Sequence, residues 1–133
     1  MSGMNCPTCG GATVSFAVSE DLAASLPGAE SAAALCTRCL TLHPVEGEPN
    51  GDASFEAVSG AFPTNPDAAV PMALLVGLLE NLALYRSEIS DLLELVERAG
   101  TDPLLVLDRL AHDPDIDAEA DLAGRRRQLE QLL

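Results

Sequence analysis

The sequence has no lysine among its 133 residues, so every basic side chain is an arginine. Seven arginines stand against 21 aspartates and glutamates, which gives a formal net charge of −14 at pH 7. This excess of like charge opposes compaction at ordinary ionic strength, whereas in molar salt the Debye length falls to about 3 Å and the repulsion is screened. The composition therefore indicates the cytoplasm of a salt-accumulating halophile, and we expect the fold to need salt.

The sequence also lacks a basic half. Residues 1–64 contain seven acids and one base, net −6, and residues 65–133 contain 14 acids and six bases, net −8. Neither half offers the excess of cations that nucleic-acid phosphates attract. The most apolar stretch, residues 70–79, is about half as long as the roughly 20 residues of a membrane-spanning helix. With no signal peptide at its start, the chain is expected to be cytoplasmic and to have no membrane segment.

Recognisable catalytic motifs are missing as well. The sequence has no GxSxG, HExxH or phosphate-binding loop. Its two histidines, His43 and His112, do not belong to a familiar acid–base motif. We therefore predict no catalytic residue and no enzymatic activity.

The four cysteines of the chain form two Cys-x-x-Cys pairs, with 26 residues between the pairs. Two residues between cysteines let both thiolates of one turn reach one ion, and two such turns complete a tetrahedral zinc site. We predict one structural Zn²⁺ per chain, held by Cys6, Cys9, Cys36 and Cys39.

The first pair has the composition of a tight metal-binding turn. Pro7 fixes φ, while Gly10 and Gly11 permit positive φ, so that backbone N–H groups can turn toward the sulfurs. The second pair departs from this composition, with Leu40 in place of Gly10. Arg38, between its cysteines, could offset part of the negative charge of the site. We expect Leu40 to pack toward the second half of the chain.

Other interpretations of the cysteine pairs stay open. They could form disulfides, a thioredoxin-like redox motif, or a rubredoxin-like iron site with the same ligands. Rubredoxins surround the iron with aromatic rings, and this chain has three phenylalanines and one tyrosine. His43 could replace one ligand, but four cysteines already complete the shell, so we interpret it as an ordinary strand residue.

The fold class predicted is α+β, with an N-terminal three-stranded zinc ribbon and a bundle of four or five α-helices. The predicted regions are a ribbon over residues 1–46, a linker with a short helix over 47–64, and a helical domain over 65–133. Within the ribbon, β-branched residues and turn signals predict strands at 12–18, 32–35 and 40–45, with a short helix at 20–26. A ribbon of this size buries little, so the metal supplies much of its folding energy.

The second half is punctuated by helix signals. Asn65 with Pro66, and Asp102 with Pro103, are N-terminal caps, and Gly100 ends a helix. The predicted elements are a polar linker at 46–52 and helices at 54–61, 66–85, 87–99, 103–111 and 118–132. The helix after Asn65 is apolar around most of its girth, which requires burial on several sides. We expect it in the centre of the bundle or, over residues 67–85, at a homodimer interface.

Several stretches together resemble a family of uncharacterised small proteins from halophilic archaea, which have a CPxCG-type zinc ribbon and a helical C-terminal half. The segments that carry the resemblance are CPTCGG, ALCTRCLTLHPV, AFPTNPDAAVPMAL, RAGTDPLLVLDRLA and RRRQLEQLL. The resemblance implies zinc ligation by the four cysteines and no assigned activity.

Three functions follow as hypotheses. The first is a non-enzymatic zinc-binding module that acts as an adaptor for a protein partner of unknown identity. The second is a nucleic-acid-binding or transcription-associated ribbon protein, which the charge makes unlikely; the one basic cluster, Arg125 to Arg127, is expected to pair with Asp121 and Glu130. The third is a rubredoxin-like iron or thiol redox protein.

Overall fold

The computed structural model describes residues 6–7, 9–23, 32–45, 55–118 and 121–131. A three-stranded antiparallel sheet is followed by helices, which confirms the predicted α+β class with an N-terminal ribbon. The predicted linker at 46–52 lies outside the described residues, so the boundaries of the regions 1–46, 47–64 and 65–133 stay predictions.

The sheet contains β1 (Thr13–Ala17), β2 (Ala32–Cys36) and β3 (Leu42–Pro44) in that spatial order. Both pairs of neighbouring strands are antiparallel. Every residue of β2 is buried, because this strand has a neighbour on each side. β2 ends at a cysteine and a short turn leads into β3, so the sheet fixes the direction in which the second cysteine turn projects.

A short helix, α1 (Glu20–Ala23), follows β1 as predicted. Ser19 caps it, since its hydroxyl accepts a hydrogen bond from the backbone N–H of Leu22 at 3.4 Å. The predicted continuation of this helix to residue 26 lies outside the described residues.

The helical half contains four α-helices among the described residues. They are α2 (Pro66–Leu78), α3 (Arg86–Arg98), α4 (Pro103–Ala111) and α5 (Leu122–Glu130). The predicted caps are confirmed. The Asn65 side chain accepts from the N–H of residue 67, and the Asp102 side chain accepts from residues 104 and 105. Gly100 ends α3 in the left-handed region, at φ +93°.

Three helix boundaries were predicted wrongly. The helix predicted over 66–85 ends at Leu78 and is followed by a 3₁₀ turn over Leu79–Asn81. The prediction was too long because 3₁₀ geometry is common at helix ends, and the apolar residues of a 3₁₀ turn follow a spacing similar to that of an α-helix. The predicted helix at 54–61 is a 3₁₀ turn over Phe55–Ala57. The last helix begins at Leu122 instead of residue 118, because the Asp121 side chain accepts from the N–H of Gly124 and caps it there.

The basic cluster of α5 is paired only in part as predicted. Arg126 forms an ion pair with Glu130. Asp121, by contrast, caps the helix, and Arg125 donates to the side chain of Gln128 and to the backbone carbonyl of Glu80. Arg125 therefore joins α5 to the 3₁₀ turn that follows α2.

The apolar helix α2 is the centre of the molecule. It packs mainly against α3 and also touches β3, and its buried residues are Ala68, Ala69, Met72, Ala73, Leu74, Leu75, Val76 and Leu78. One copy of the chain is thus sufficient to bury this helix. The homodimer through residues 67–85 stays a prediction.

The ribbon and the helices share one hydrophobic core. Val14, Phe16 and Leu35 of the sheet belong to the same buried cluster as the apolar residues of α2 to α5. The rings of Phe16 and Phe55 lie 5.3 Å apart, which extends the contact to the segment before α2. Because the two halves have no separate cores, loosening of the sheet exposes apolar surface on the helices.

Two polar contacts reinforce this packing. The backbone N–H of Asp117 donates to the carbonyl of Arg38 at 2.7 Å, and the Ser59 hydroxyl donates to the Asp113 carboxylate at 2.8 Å. The first contact joins the second cysteine turn to the segment between α4 and α5. Across the described residues, each helix is too short or too polar to cross a membrane.

Candidate metal centre

The four predicted ligands come together at one end of the sheet. The Sγ atoms of Cys6, Cys9, Cys36 and Cys39 all lie within 4.8 Å of one another. Cys36 is the last residue of β2, and Cys39 follows in the turn toward β3. The pairing of β1 with β2 brings the N-terminal turn alongside, since Thr13 lies opposite Cys36.

The shortest sulfur–sulfur separations run between the turns. Cys6 and Cys39 are 3.6 Å apart at Sγ, and Cys9 and Cys36 are 3.5 Å apart. Four sulfurs at the Zn–S distance of about 2.3 Å in a tetrahedron stand about 3.8 Å from each other. A disulfide requires about 2.05 Å, and none of the four cysteines forms one. The spacing therefore fits one metal ion shared by both turns, and does not fit a pair of disulfides.

The two turns have matching backbones despite their different sequences. The N–H of Cys6 donates to the carbonyl of Gly11 at 2.8 Å, and that of Cys36 donates to the carbonyl of Thr41 at 3.0 Å, five residues on in each case. The fourth residue after each first cysteine has positive φ, +78° at Gly10 and +60° at Leu40. The expected departure of the second turn is thus one of side chains and not of backbone.

Leu40 adopts a conformation that costs a residue with a Cβ about 1–2 kcal/mol. Its side chain is 4% exposed and belongs to the cluster that contains the helix residues. Burial of a leucine stabilises a fold by about 1.5–3 kcal/mol, which offsets the strain. The prediction that Leu40 packs toward the helical half is confirmed.

Backbone N–H groups donate hydrogen bonds to the sulfurs of Cys9 and Cys36, which form the Cys9–Cys36 edge of the cluster. Gly11 donates to Cys9 Sγ at 3.4 Å, and both Arg38 and Cys39 donate to Cys36 Sγ at 3.4 Å. The N–H of Gly10 was expected to do the same, but it donates to the carbonyl of Cys6 instead.

Gly11 is required for space. A Cβ at this position would lie 3.3 Å from Sγ of both Cys9 and Cys36. Positive φ was expected at Gly11, but among the residues of this turn that the structure describes it occurs only at Gly10. The CGG sequence therefore meets two separate demands, conformation at the first glycine and close approach to sulfur at the second.

Side chains contact the sulfurs of Cys6 and Cys39, which form the Cys6–Cys39 edge of the cluster. The Thr41 hydroxyl oxygen lies 3.1 Å from Cys39 Sγ and 3.3 Å from Cys6 Sγ. His43 Nε2 lies 2.9 Å from that oxygen and 3.4 Å from Cys6 Sγ. His43 is a strand residue, as expected, but it is also a neighbour of the site, and Thr41 was missed altogether.

The sequence did contain a signal for these two residues. Thr41 and His43 are two residues apart, so that alternation places both on one side of the extended chain that leads into β3. The intervening Leu40 and Leu42 pack into or against the hydrophobic core. A strand that leaves a cysteine turn in this way points its odd-numbered residues at the metal site.

The ligands differ in their environment. Cys6, Cys36 and Cys39 are buried, whereas Cys9 is exposed. Burial raises the pKa of the Cys36 thiol above its usual range and that of Cys39 to about 12. Without a metal these two sulfurs therefore hold their protons at neutral pH. A bound divalent cation reverses this preference, because a coordinated thiol is deprotonated.

Ribbon, turns and four-sulfur cluster define the class of this chain, a zinc-ribbon-type fold with a site positioned to hold a metal ion, joined to a helical second half. Within that class the chain belongs to the Family of unknown function (DUF6276), whose sequence model matches residues 5–133. The match includes all four cysteines and the helices, so the two halves belong to one family unit. No curated protein and no solved structure matches the chain.

Proposed function

We propose that the protein binds one structural Zn²⁺ per chain through its four cysteines and acts as a non-enzymatic interaction module, an adaptor in a salt-rich cytoplasm. The observation that carries this proposal is the cluster of four sulfurs within 4.8 Å, built by two turns that are continuous with the core.

The donor set favours zinc. Four thiolates in a tetrahedron suit Zn²⁺ or iron. The rings of Phe16 and Phe55 contact each other in a tilted arrangement, with an interplanar angle of 55°, in the core that joins sheet and helices. The cysteine cluster itself is a separate small group of buried sulfurs. Aromatic packing around the metal, which typifies rubredoxin-like iron sites, is therefore not supported, and a colourless protein with one zinc is the expected state.

A structural role follows from the coordination chemistry. Four protein ligands complete the tetrahedron and leave no position for a substrate. The energy of metal binding then serves to hold the ribbon, which is too small to bury much apolar surface by itself. Since Leu35 and Leu40 of the ribbon reach the helical core, the metal also supports the arrangement of the helices.

The surface favours a protein partner. A formal charge of −14 repels polyanions and attracts basic surfaces. Among the described residues of the helical half, three large apolar side chains remain exposed, Leu84, Leu95 and Leu105. Apolar contacts keep their strength in concentrated salt, where charge attraction is screened. Leucines on an acidic surface are therefore suited to a salt-rich cell.

The proposal is tested by capture of partners at molar KCl with mass spectrometry, using tagged full-length protein. Cys36→Ser removes a ligand that is 0% exposed, and Leu105→Ser changes the helical surface without touching the cysteines. A partner lost with Cys36→Ser and kept with Leu105→Ser shows that the interaction depends on the metal-supported fold and not on this leucine. The opposite pattern places it on the helices. Absence of any partner that survives stringent washing counts against an adaptor.

The same preparation tests nucleic-acid binding. The exposed positions of α4 include Leu105, Asp108 and Arg109, so this helix presents one cation beside one anion to a phosphate backbone. Flow-through on a DNA column at molar salt is expected. Retention there would favour the nucleic-acid alternative over the adaptor.

A further inference from the structure

One edge of the sulfur cluster is served by side chains that can be replaced. Thr41 Oγ1 lies 3.1 Å from Cys39 Sγ, 3.3 Å from Cys6 Sγ and 2.9 Å from His43 Nε2. The same nitrogen lies 3.4 Å from Cys6 Sγ. All four separations are within hydrogen-bond range for oxygen, nitrogen and sulfur, and all four converge on the Cys6–Cys39 edge.

We propose that Thr41 and His43 form a directed hydrogen-bond chain that stabilises the metal-bound thiolates. In this chain His43 Nε2–H donates to the Thr41 hydroxyl oxygen, and the Thr41 O–H donates to the sulfur of Cys39. The inference rests on the proposed metal site and adds two positioning residues to it.

The direction of the chain follows from donor counting. A metal-bound thiolate has no proton and can only accept, so the single hydroxyl proton of Thr41 must point to sulfur. Its oxygen then faces His43 Nε2 with lone pairs. If Nε2 also carried a lone pair, two acceptors would stand 2.9 Å apart, which is repulsive. Metal loading therefore fixes the proton of the neutral imidazole on Nε2.

The metal-free site imposes no such direction. Thiols can donate as well as accept, so a proton from Cys39 or Cys6 can reach Thr41, and His43 Nε2 can accept. The position of the His43 imidazole proton thus reports whether a metal is bound, because the Thr41 hydroxyl links this imidazole to the cysteine sulfurs.

The hydrogen-bond chain should also affect how tightly the metal is held. The Cys9–Cys36 edge accepts from backbone N–H groups, which substitution does not remove. At the Cys6–Cys39 edge the Thr41 hydroxyl adds a side-chain donor, beside the backbone hydrogen bond from Thr41 that Cys39 accepts. Loss of a partner that supports a metal ligand typically lowers metal affinity about 10–100-fold. We expect an effect in this range when the hydroxyl is removed.

The first test measures the rate of zinc release from full-length, zinc-loaded protein to a chromogenic chelator at molar KCl. Thr41→Val keeps the shape but removes the hydroxyl, and is expected to release zinc about tenfold faster or more. Thr41→Ser restores the hydroxyl and should return the rate close to that of the wild type. Equal rates for wild type and Thr41→Val would overturn the chain.

A matched control comes from the neighbouring threonine. The Thr37 hydroxyl donates to the carbonyl of Ala12 at 2.9 Å, in the same turn but away from the sulfurs. Thr37→Val should leave the release rate near that of the wild type. If it accelerates release as much as Thr41→Val, the effect belongs to the turn and the hydrogen-bond chain is refuted.

The second test reads the imidazole directly by ¹⁵N NMR at pH 8. His43 is expected to carry its proton on Nε2 with zinc bound and to lose this preference when zinc is chelated. His112, whose Nδ1 lies 2.8 Å from the carbonyl of Asp108, is a reference far from the site. A proton on His43 Nδ1 in the loaded protein overturns the proposed direction, and so does zinc bound to Nε2.

The two proposals fail in distinguishable ways. Wild-type protein that takes up no zinc contradicts the metal site, and the hydrogen-bond chain with it. One zinc per protein molecule, together with an unchanged release rate for Thr41→Val, contradicts the hydrogen-bond chain but not the metal site.

Discussion

Gly77 and Leu42 approach so closely that a Cβ on residue 77 would lie 2.4 Å from the Leu42 Cβ. This contact is where the centre of the helical half, α2, meets strand β3. The helix can lie flat on the sheet only because residue 77 has no side chain. The missing side chain therefore fixes the distance between the metal-bearing ribbon and the helices.

Gly77→Ala is expected to destabilise the fold. Alanine has a higher helix propensity than glycine by about 1 kcal/mol, but overpacking in a core typically costs about 1–3 kcal/mol, and a 2.4 Å contact lies at the costly end. The net loss should be about 1 kcal/mol or more in a denaturant melt.

Two variants separate the collision with Leu42 from the other effects of replacing a glycine by alanine. A Cβ at Gly60 would meet nothing within 4 Å, so Gly60→Ala should be close to neutral. In the double variant Gly77→Ala with Leu42→Ala, part of the Gly77→Ala loss should be recovered, because the colliding side chain is gone. Additive losses in this cycle would show that the contact is not the cause.

Removal of the metal should destabilise more than the ribbon. Cys36→Ser, or wild type with a strong chelator, is expected to lose its helical circular dichroism at a lower temperature than zinc-loaded wild type, because Leu35 and Leu40 lie in the core shared with the helices. Elemental analysis should give one zinc per wild-type chain and a colourless protein. A helical half that melts unchanged without metal would contradict the shared core.

Metal binding should strengthen as pH rises. Burial holds the pKa of Cys36 above the usual value and that of Cys39 at about 12, so both are thiols at pH 7 and must release protons to bind a metal. Each thiol that releases a proton on binding makes the affinity rise about tenfold per pH unit, so these two thiols alone give a rise of about 100-fold. Competition with a chelator of known affinity between pH 6 and 8 measures this slope. A flat profile would contradict it.

The metal-free protein should show the opposite trend in alkali. The folded state keeps the Cys39 proton up to about pH 12, whereas the unfolded state loses it near the ordinary value of 9.0. The unfolded state therefore binds fewer protons between these values, and stability falls as pH rises from about 9 toward 12. Thermal melts with chelator present, compared at pH 8 and pH 10.5, check the sign.

Salt should stabilise the fold. Within the described residues, arginine pairs with a carboxylate only at Glu94–Arg98 and Glu130–Arg126, each within one helix. Such exposed pairs contribute about 0.3–0.5 kcal/mol each, so most of the 21 acids are not neutralised. The melting temperature should increase between about 0.1 and 2 M KCl, the range in which the Debye length falls from about 10 Å to 3 Å or less. An unchanged melt would argue against halophilic adaptation.

Cys9 should be the first cysteine to react with an alkylating reagent. It is exposed, while its three companions are at most 3% exposed. Limiting N-ethylmaleimide followed by peptide mass spectrometry should show modification at Cys9 and concurrent loss of zinc. Equal modification of Cys9 and Cys39 would indicate that the site opens as a whole before reaction.

Local signals in the sequence predicted much of the fold. Asn65 and Asp102 cap their helices as expected, because an N-cap needs only a side-chain oxygen and the next few N–H groups. The cysteine spacing predicted the candidate site for the same reason, since each turn is a local structure. The strand pairing that joins Thr13 to Cys36 then needs only the order of the elements.

Features that depend on tertiary context were not predictable in this way. Leu40 occupies a left-handed position that favours glycine, and only its burial against the helices makes this tolerable. The α-helix after Asn65 ends at Leu78 although its apolar pattern continues. The bond from Asp117 to Arg38 joins residues 79 positions apart and leaves no local signal.

That last bond has a consequence for the order in which the protein is made. The ribbon leaves the ribosome first, yet α2 and Asp117, which hold it in the finished fold, follow many residues later. At about 5–20 residues per second, the ribbon waits on the order of several seconds for these partners. Metal captured during this interval is the main stabilising interaction available to it, so the supply of metal sets how much nascent chain reaches the native state instead of aggregating.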